Sequence, residues 1–240
     1  MNAARVCAIH QPHYLPWLRY FAKAALADVF ILLDDVQFTK NGWQNRNKVK
    51  SSSGATLLTV PVRHTAEQLI NEVEIASPQW AAKHARTLEM CYGKAPHFAA
   101  YWPPLRELYD HPWTRLSELA IAQFRRLCEL IGLEIETRVS SAIPTQEEAT
   151  GRLVELCRAV DAGAYLSGEF ASDAYLDPAR FGAAGIRLAL MGWEAPEYAQ
   201  LYPRAGFEPD LAIVDLLFNE GPRTLEILRA AARVTWEAAP

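Results

Sequence analysis

Short apolar runs and stretches of helical spacing alternate along the first part of the chain. Val6–Ile9 and Val29–Leu33 are apolar throughout, which is typical of strands that are buried on both faces of a sheet. Between them, apolar residues recur at helical spacing from Trp17 to Leu26. A helix between two such strands forms a βαβ unit, so the pattern predicts a parallel pair of strands.

The same rhythm continues around a helical insertion. Apolar spacing predicts helices from about residue 79 to residue 131. Asp210–Phe218 fits either a strand or a buried helix, and a last helix is expected after Gly221–Pro222. We therefore predict a single α/β domain over residues 1–240, with a doubly wound, mostly parallel sheet and helices on both faces. Further strands are predicted at Ala55–Arg63, Glu134–Val139, Ala164–Ser167 and Arg187–Met191.

The composition limits the kinds of partner. A formal net charge of -4 over 240 residues gives no general attraction to nucleic acid or to an anionic membrane, so phosphate has to be bound locally. No apolar run approaches the roughly 18 residues of a membrane span, and the N-terminus lacks the apolar core of a secretory signal. The four cysteines form no C-x-x-C pair, which argues against a zinc site. We expect a cytoplasmic protein with a small-molecule, anionic substrate.

Three polar segments follow predicted strands, at residues 10–14, 34–40 and 167–173. In an open parallel sheet, ligands bind outside the carboxyl ends of the strands. If the strands are parallel, all three segments lie along one edge of the sheet, and we expect the functional site there. The usual glycine-rich phosphate loops are absent from the sequence, since neither a Walker loop nor a G-x-G-x-x-G pattern occurs.

The first segment contains two histidines, His10 and His13, in a loop that Pro12 and Pro16 keep from becoming helical. Imidazole titrates near neutral pH, so either histidine is a candidate general acid or base, or a phosphate ligand. A metal site is disfavoured because no third ligand stands at a recognisable spacing. The competing interpretation is a pair of hydrogen-bonded structural histidines.

The second segment begins with two adjacent carboxylates, Asp34 and Asp35. In a continuing strand, adjacent side chains point to opposite faces, so we expect only one of the two to enter a shared site. We take Asp35 as the catalytic candidate and Asp34 as a candidate for substrate binding. The alternative is that the pair is an acidic strand end or a cap.

A basic stretch follows, in which Lys40, Arg46, Lys48 and Lys50 stand with no acid between them. In an acidic protein such a stretch is a candidate anion pocket, because an arginine can hold a phosphate or carboxylate with two parallel hydrogen bonds. A charged loop in solvent is the alternative. Asp215 interrupts a later apolar run and fits a cap better than a buried acid, which would need a partner.

The segments named above resemble the WbqC-like family of bacterial proteins, which are often encoded among genes for O-antigen and other surface-polysaccharide biosynthesis. The resemblance implies a transferase-like role in sugar modification. It departs where the family is expected to have Ser-Gly-Pro-Gly-Ala and this chain has Ser167–Ala171, with a bulky Phe170 that points to a different substrate. The matching residues are Ile9–Trp17, Asp34–Phe38, Lys40, Asn45–Asn47, Tyr165–Gly168, Tyr175–Asp177 and Asp215–Asn219.

Strand-end positions and this resemblance together define the predicted site. The sequence indicates no metal and no particular cofactor. The catalytic candidates are His10, His13 and Asp35. The substrate-binding candidates are Gln11, Tyr14, Asp34, Gln37, Lys40, Asn45, Arg46, Asn47 and Ser167.

Three functions remain open from the sequence. The first is transfer of an acyl or aminoacyl group to an amino sugar or comparable amine, with His10 or His13 as the base. In this hypothesis Lys40 and Arg46 hold an anionic donor or acceptor, such as a nucleotide sugar. The second is nucleotidyl transfer by an enzyme of Rossmann-like fold, in which an imidazole loop stabilises the transferring phosphate. The third is a non-catalytic module that binds a sugar nucleotide or a carrier.

Overall fold

Strands and helices alternate along the chain in the computed structural model, which describes residues 4–168 and 176–237. The strands are β1 (Val6–His10), β2 (Val29–Leu32), β3 (Arg46–Ser51), β4 (Gly54–Thr59), β5 (Val62–Arg63), β6 (Glu74–Ile75), β7 (Glu136–Val139), β8 (Ala164–Gly168), β9 (Arg187–Trp193) and β10 (Ala232–Trp236). The helices are α1 (Leu18–Ala24), α2 (Gln79–Tyr92), α3 (Phe98–Asp110), α4 (Leu116–Leu130), α5 (Ala149–Ala159), α6 (Pro178–Ala183), α7 (Ile213–Glu220) and α8 (Thr224–Ala230).

The main sheet has six strands in the order β10-β9-β8-β1-β2-β7. The five strands from β9 to β7 are parallel, whereas the edge strand β10 runs antiparallel to β9. From β1 the chain adds β2 and β7 on one side, and it then returns to add β8 and β9 on the other side. The predicted, mostly parallel α/β sheet is therefore confirmed, and the strand order reverses between β1 and β8.

Alternating side chains of the central strands supply a core on each face of the sheet. Ala8 and Phe30 belong to the core that includes α1, the helices α2 to α4, and α7. Cys7 and Ile9 belong to the core on the opposite face, with Leu153 and the apolar side of α5. The strands are apolar throughout because neither face is open to water. The predicted helices on both faces and the predicted helical insertion are confirmed.

The third predicted strand does not join this sheet. Residues 55–63 are divided between β4 and the short β5, and β4 pairs with β3 in a separate antiparallel hairpin. Gly54 follows the turn with a φ of +101°, a conformation that favours glycine. β3 is not predicted from the apolar pattern, because most of its residues are polar. Its buried Asn47 is satisfied by donating to the Leu15 carbonyl oxygen at 2.6 Å.

The last part of the described chain shows which structure residues 210–218 adopt, and it contains a strand that is not predicted. Residues 213–220 form helix α7, and nearly all of its residues are buried, so the buried helix is correct for this segment. The helix expected after Gly221–Pro222 is α8, but the exposed antiparallel strand β10 that follows it is not predicted. Among the described residues, no helix is long and apolar enough to span a membrane.

Candidate functional site

β1 and β8 separate toward their carboxyl ends and open a crevice. Their described pairing runs from Val6 opposite Ala164 to Ala8 opposite Leu166. A cavity of about 520 Å³ lies beyond these pairs, where the strand order reverses. The ends of β1, β8 and β9, together with α1, supply most of its lining. The basic side chains that line it are His10, Arg19 and Lys23, and no described residue of its lining is acidic.

His10, the last residue of β1, has one ring nitrogen fixed by the backbone. Its Nδ1 lies 3.1 Å from the Gln11 carbonyl oxygen. A carbonyl oxygen only accepts hydrogen bonds, so this contact requires a proton on Nδ1 and leaves the lone pair of the neutral ring on Nε2. Burial lowers the pKa of His10 well below the usual 6.5, and the neighbouring His13 and Lys23 lower it further. His10 is therefore a neutral imidazole at physiological pH, and its Nε2 can accept a proton.

His13 is buried in an aromatic cluster beside His10. Its ring centroid lies 5.0 Å from that of His10, 4.9 Å from that of Trp17 and 5.7 Å from that of Tyr20. Its Nδ1 has no hydrogen-bond partner among the described residues. Burial lowers the pKa of His13 to about 3, and Arg19 acts in the same direction. His13 is therefore neutral as well, and its ring packs against that of His10.

Lys23 places a buried ammonium group at the point where β1 and β8 separate. It lies on α1 with 7% of its surface exposed, and its Nζ donates to the Ile9 carbonyl oxygen at 2.9 Å. The next carbonyl along β1, that of His10, accepts from Leu33 on the β2 side. Successive carbonyls of a strand point to opposite sides, so the Ile9 carbonyl faces the side of β8. Lys23 therefore satisfies a backbone group that β8 no longer reaches.

No described carboxylate forms an ion pair with Lys23. Burial lowers the pKa of Lys23 from the usual 10.5 to about 8, and the nearby thiols of Cys7 and Cys157 act in the opposite direction. At neutral pH the ammonium form still predominates. The crevice therefore holds a buried positive charge with no counter-charge from the described protein.

Arg19 and aromatic rings border the same cavity. Arg19 stands four residues before Lys23 on α1, and its guanidinium carbon lies 5.2 Å from the Trp17 ring centroid. The Trp17 ring contacts that of Trp43, with 5.9 Å between the centroids. Trp193 borders the cavity from β9. Like charges four residues apart on a helix repel each other, so Arg19 and Lys23 weaken α1 in the absence of a bound anion.

Gln11 and Ser167 are the other predicted site residues that line the cavity. The Gln11 side-chain oxygen accepts a hydrogen bond from Gln44 at 2.9 Å, which connects the loop after β1 to the segment before β3. Ser167 is buried, and its Oγ donates to the Gly168 carbonyl oxygen at 3.3 Å. The departure from Ser-Gly-Pro-Gly-Ala that includes Phe170 lies outside the described residues.

A second cavity, of about 420 Å³, lies between β6, the start of α2 and residues 111–114. Among its described lining residues, Glu74 and His111 are titratable, and both are exposed. It contains neither a buried charge nor the carboxyl end of a parallel strand of the main sheet. We therefore place the candidate site in the crevice between β1 and β8.

Asp34 and Asp35 follow β2, but both carboxylates are bound by residues from other elements. Asp34 accepts from the Ser141 hydroxyl at 2.9 Å and from the Ser141 backbone N–H at 3.0 Å. Asp35 forms an ion pair with Arg152 of α5, and Ser140 Oγ lies within hydrogen-bond distance of both aspartates. The expectation that strand alternation separates the two carboxylates is wrong, because β2 ends before them. Neither aspartate lines the cavity.

The predicted basic stretch is divided between solvent and core. Gln37 and Lys40 are exposed, Arg46 is partly exposed, and none of the three lines the cavity. Lys50 is fully buried, and its Nζ donates to the Gln200 side-chain oxygen at 3.1 Å. The structure therefore does not bring these residues to the crevice, and the alternative of a solvated loop is wrong for Lys50.

Three more predicted binding residues have buried partners in the fold. The Tyr14 hydroxyl lies 2.8 Å from His84 Nδ1. Asn45 donates to the Val60 carbonyl oxygen at 2.8 Å, and Asn47 donates to the loop after β1 as described above. None of the three side chains lines the cavity. Their contacts connect the loop after β1, the hairpin and α2.

Asp215 is a buried acid rather than a cap. Its Oδ1 accepts from the Tyr92 hydroxyl at 2.8 Å, and its Oδ2 accepts from the Tyr198 hydroxyl at 2.7 Å. Burial raises the pKa of Asp215, and the two tyrosine hydrogen bonds partly offset this effect. The partners that a buried acid requires are present, so the preference for a cap is wrong. Asp215 connects α7 to α2 and to the segment after β9, and it does not line the cavity.

Sequence reasoning overlooks Lys23 and Arg19, the two cations of α1 at the crevice. A signal for Lys23 is present, because it stands between Ala22 and Ala24 in an otherwise apolar helical turn. Lysine is almost never fully buried without a partner. A lysine inside an apolar turn next to the first strand is therefore a candidate site residue, and helical spacing places Arg19 on the same side.

The fold and the crevice define an α/β protein with a candidate ligand site where the strand order reverses. The model of the WbqC-like protein family matches residues 11–227, and the chain belongs to this family. A relative from Mycobacterium tuberculosis (strain ATCC 25618 / H37Rv), Uncharacterized protein Rv1507c, is 37% identical over 226 residues, which cover 92% of this chain and 96% of the relative. No solved structure gives a significant match.

Proposed function

We propose that the protein is an enzyme that transfers an acyl or aminoacyl group to an amine in the crevice between β1 and β8. The observation that carries the proposal is a neutral imidazole, His10, at a cavity whose described ionic side chains are all cationic. The imidazole supplies a proton acceptor, and the cations favour an anionic donor or acceptor. The family's association with surface-polysaccharide genes favours an amino sugar as the amine.

In this reaction the uncharged amine attacks the carbonyl carbon of the activated donor, and a C–N bond forms. His10 Nε2 takes the proton that the nitrogen loses, and the bond to the leaving group breaks with its electron pair on that group. A bound anion opposes the positive charges of Lys23 and Arg19, so it raises the pKa of His10. Proton transfer to His10 thus becomes more favourable once the anionic substrate is bound.

The other predicted catalytic residues receive different roles in this proposal. His13 is a positioning residue, because its ring packs against His10 and its Nδ1 has no described partner. Asp35 is paired with Arg152 outside the cavity lining, so we assign it to the stability of the sheet edge. Lys23 and Arg19 replace Lys40 and Arg46 as the cations at the substrate.

The test is a mass-spectrometric screen of acyl thioesters and aminoacyl donors against nucleotide-linked amino sugars. We expect an N-acylated product from the wild-type protein and a loss of about 100- to 10,000-fold in rate for folded His10→Ala. His64→Ala is a control at a histidine outside the cavity lining. Wild-type turnover by His10→Ala contradicts the role of His10. Pyrophosphate release from a nucleoside triphosphate supports nucleotidyl transfer instead, and ligand binding without turnover supports a binding module.

A further inference from the structure

We propose that Lys23 is the main contact for an oxyanion of the substrate, a phosphate or a carboxylate, in the crevice between β1 and β8. This inference names the chemical class of the ligand and rests on the proposed function for its place in a reaction. Its test measures binding alone, so it does not depend on any turnover. Lys23 is a substrate-binding residue in this proposal, and His10 remains the base.

The position of Lys23 supports this assignment. Lys23 lines the cavity, and its Nζ donates to the Ile9 carbonyl oxygen at 2.9 Å. An ammonium group has three N–H donors, and that contact uses one of them. β8 has separated from β1 at this level, so the ammonium group lies between the two strand ends rather than under a continuous sheet. An oxyanion in the crevice can accept the remaining donors.

The charges of the described residues around Lys23 also favour an anion. Arg19 and His10 share its cavity, and no described lining residue is acidic. On the other face of β1, Cys7 and Cys157 are buried thiols, and hydrogen bonding between them and burial raise the pKa of Cys157. Tyr165 of β8 offers its ring, whose centroid is 5.9 Å from Nζ. The raised pKa of Cys157 keeps that thiol uncharged at neutral pH.

A purely structural role does not explain this arrangement. A buried cation without a counter-charge loses more free energy of hydration than a single carbonyl contact returns. Charges withdrawn from water are normally paired, as the partly buried Arg152 is with Asp35 in the same molecule. Lys23 has no ion-pair partner among the described residues, and its place in a cavity at the reversal of strand order is accounted for when a ligand brings the missing charge.

Calorimetric titration with inorganic phosphate and with acetate tests the proposal in wild type, Lys23→Met and the exposed control Lys94→Met. We expect Lys23→Met to weaken binding of the preferred anion by about 10- to 100-fold, and Lys94→Met to leave it within about twofold. Lys23→Met is also expected to melt at or above the wild-type temperature, because an apolar side chain of similar length replaces an unpaired buried charge. A structural role predicts the reverse, a lower melting temperature with unchanged binding.

Two further results separate the possible outcomes. Tighter binding of phosphate than acetate identifies a phosphate-bearing substrate, and the opposite order identifies a carboxylate. Unchanged binding by Lys23→Met, or no binding of either anion by wild type, overturns the proposal. If Lys23→Met does not fold, reductive methylation of the wild-type protein serves as the test. Bound phosphate is expected to slow methylation of Lys23 but not of Lys94. Equal rates of Lys23 methylation with and without phosphate overturn the proposal.

The proposed function fails separately from this inference. Folded His10→Ala is expected to bind phosphate within about threefold of wild type, since it keeps Lys23 and Arg19, and to lose turnover. An active His10→Ala contradicts the transfer mechanism and leaves the oxyanion site in place. A Lys23→Met protein that binds phosphate like wild type contradicts the oxyanion site and leaves the role of His10 in place.

Discussion

The strand ends of β1 and β2 are neighbours at one edge of the sheet. The charged groups after β2 have partners within the protein, whereas the cation at the end of β1 has no described counter-charge. After β2, Asp35 is paired with Arg152, and Asp34 is bonded to Ser141. At the end of β1, Lys23 and the neutral His10 line a cavity whose described lining contains no acid. Charges that are satisfied within the protein stabilise the fold, whereas an unsatisfied charge at a cavity indicates a ligand. Polar residues at a strand end are therefore not sufficient to identify a site.

The largest expected effect is on the β2 side and concerns stability. Asp34→Ala removes the acceptor for several hydrogen bonds from Ser140 and Ser141, and the aspartate is buried. We expect it to lower the free energy of unfolding by about 3 kcal/mol, measured by urea denaturation. Phosphate affinity is expected to stay within about twofold of wild type. The exposed Asp110→Ala is the control, and an equally small loss for both variants contradicts the structural role of Asp34.

A second expected effect is acid sensitivity on the β1 side. The pKa of His13 is about 3 in the folded protein and about 6.5 in the unfolded chain, so the unfolded chain binds the proton more readily. The contribution of His13 to the free energy of unfolding is therefore fully present above pH 6.5, and it is lost as the pH falls below that value. His13 accounts for about 2 kcal/mol of this loss between pH 7 and pH 5.

His13→Phe isolates this contribution because it keeps an aromatic ring and removes the titrating group. Urea midpoints at about pH 7 and pH 5 are compared for the variant and wild type. We expect a smaller loss of stability on acidification in the variant. The same loss in both proteins contradicts the assignment of a buried, neutral His13.

The smallest expected effect is on phosphate affinity, and it is tested by comparing substitutions of two arginines. Arg19 lines the cavity, whereas Arg46 does not. Because Arg19 is exposed, its contribution to anion binding is screened by salt. We expect Arg19→Ala to weaken phosphate binding severalfold at low ionic strength, and Arg46→Ala to change it by less than about twofold. Equal losses at both positions would return the anion pocket to the basic stretch after β2.

The sequence allows the sheet to be predicted because its central strands are buried on both faces and therefore apolar throughout. The same reasoning predicts that His10 directly follows the first strand, whereas His10 is the last residue of β1. It does not predict the partners of Asp34 and Asp35, because Ser140, Ser141 and Arg152 are more than 100 residues away along the chain. Contacts over such separations depend on tertiary structure, which periodicity does not contain.

Burial is the second property that the sequence does not supply. A loop position usually implies exposure, but His13 has 6% of its surface exposed and packs among aromatic rings. Lys23 resembles an ordinary helix residue until β8 is seen to diverge from β1. β3 is polar because its buried Asn47 and Lys50 have specific partners. Lys23, Asn47 and Lys50 each depend on a neighbour that is distant along the chain, whereas the rings around His13 stand within seven residues of it.

Nitrogen-15 NMR of the histidine side chains tests the central claim, that the end of β1 is short of negative charge. His10 is titrated from about pH 8 to pH 5 with and without sulfate, which stays a dianion over this range, at constant ionic strength. We predict an Nδ1–H tautomer whose titration midpoint lies below pH 6.5 without sulfate and moves to higher pH with sulfate. A midpoint at or above pH 6.5 without sulfate, or one that sulfate does not move, would contradict the account.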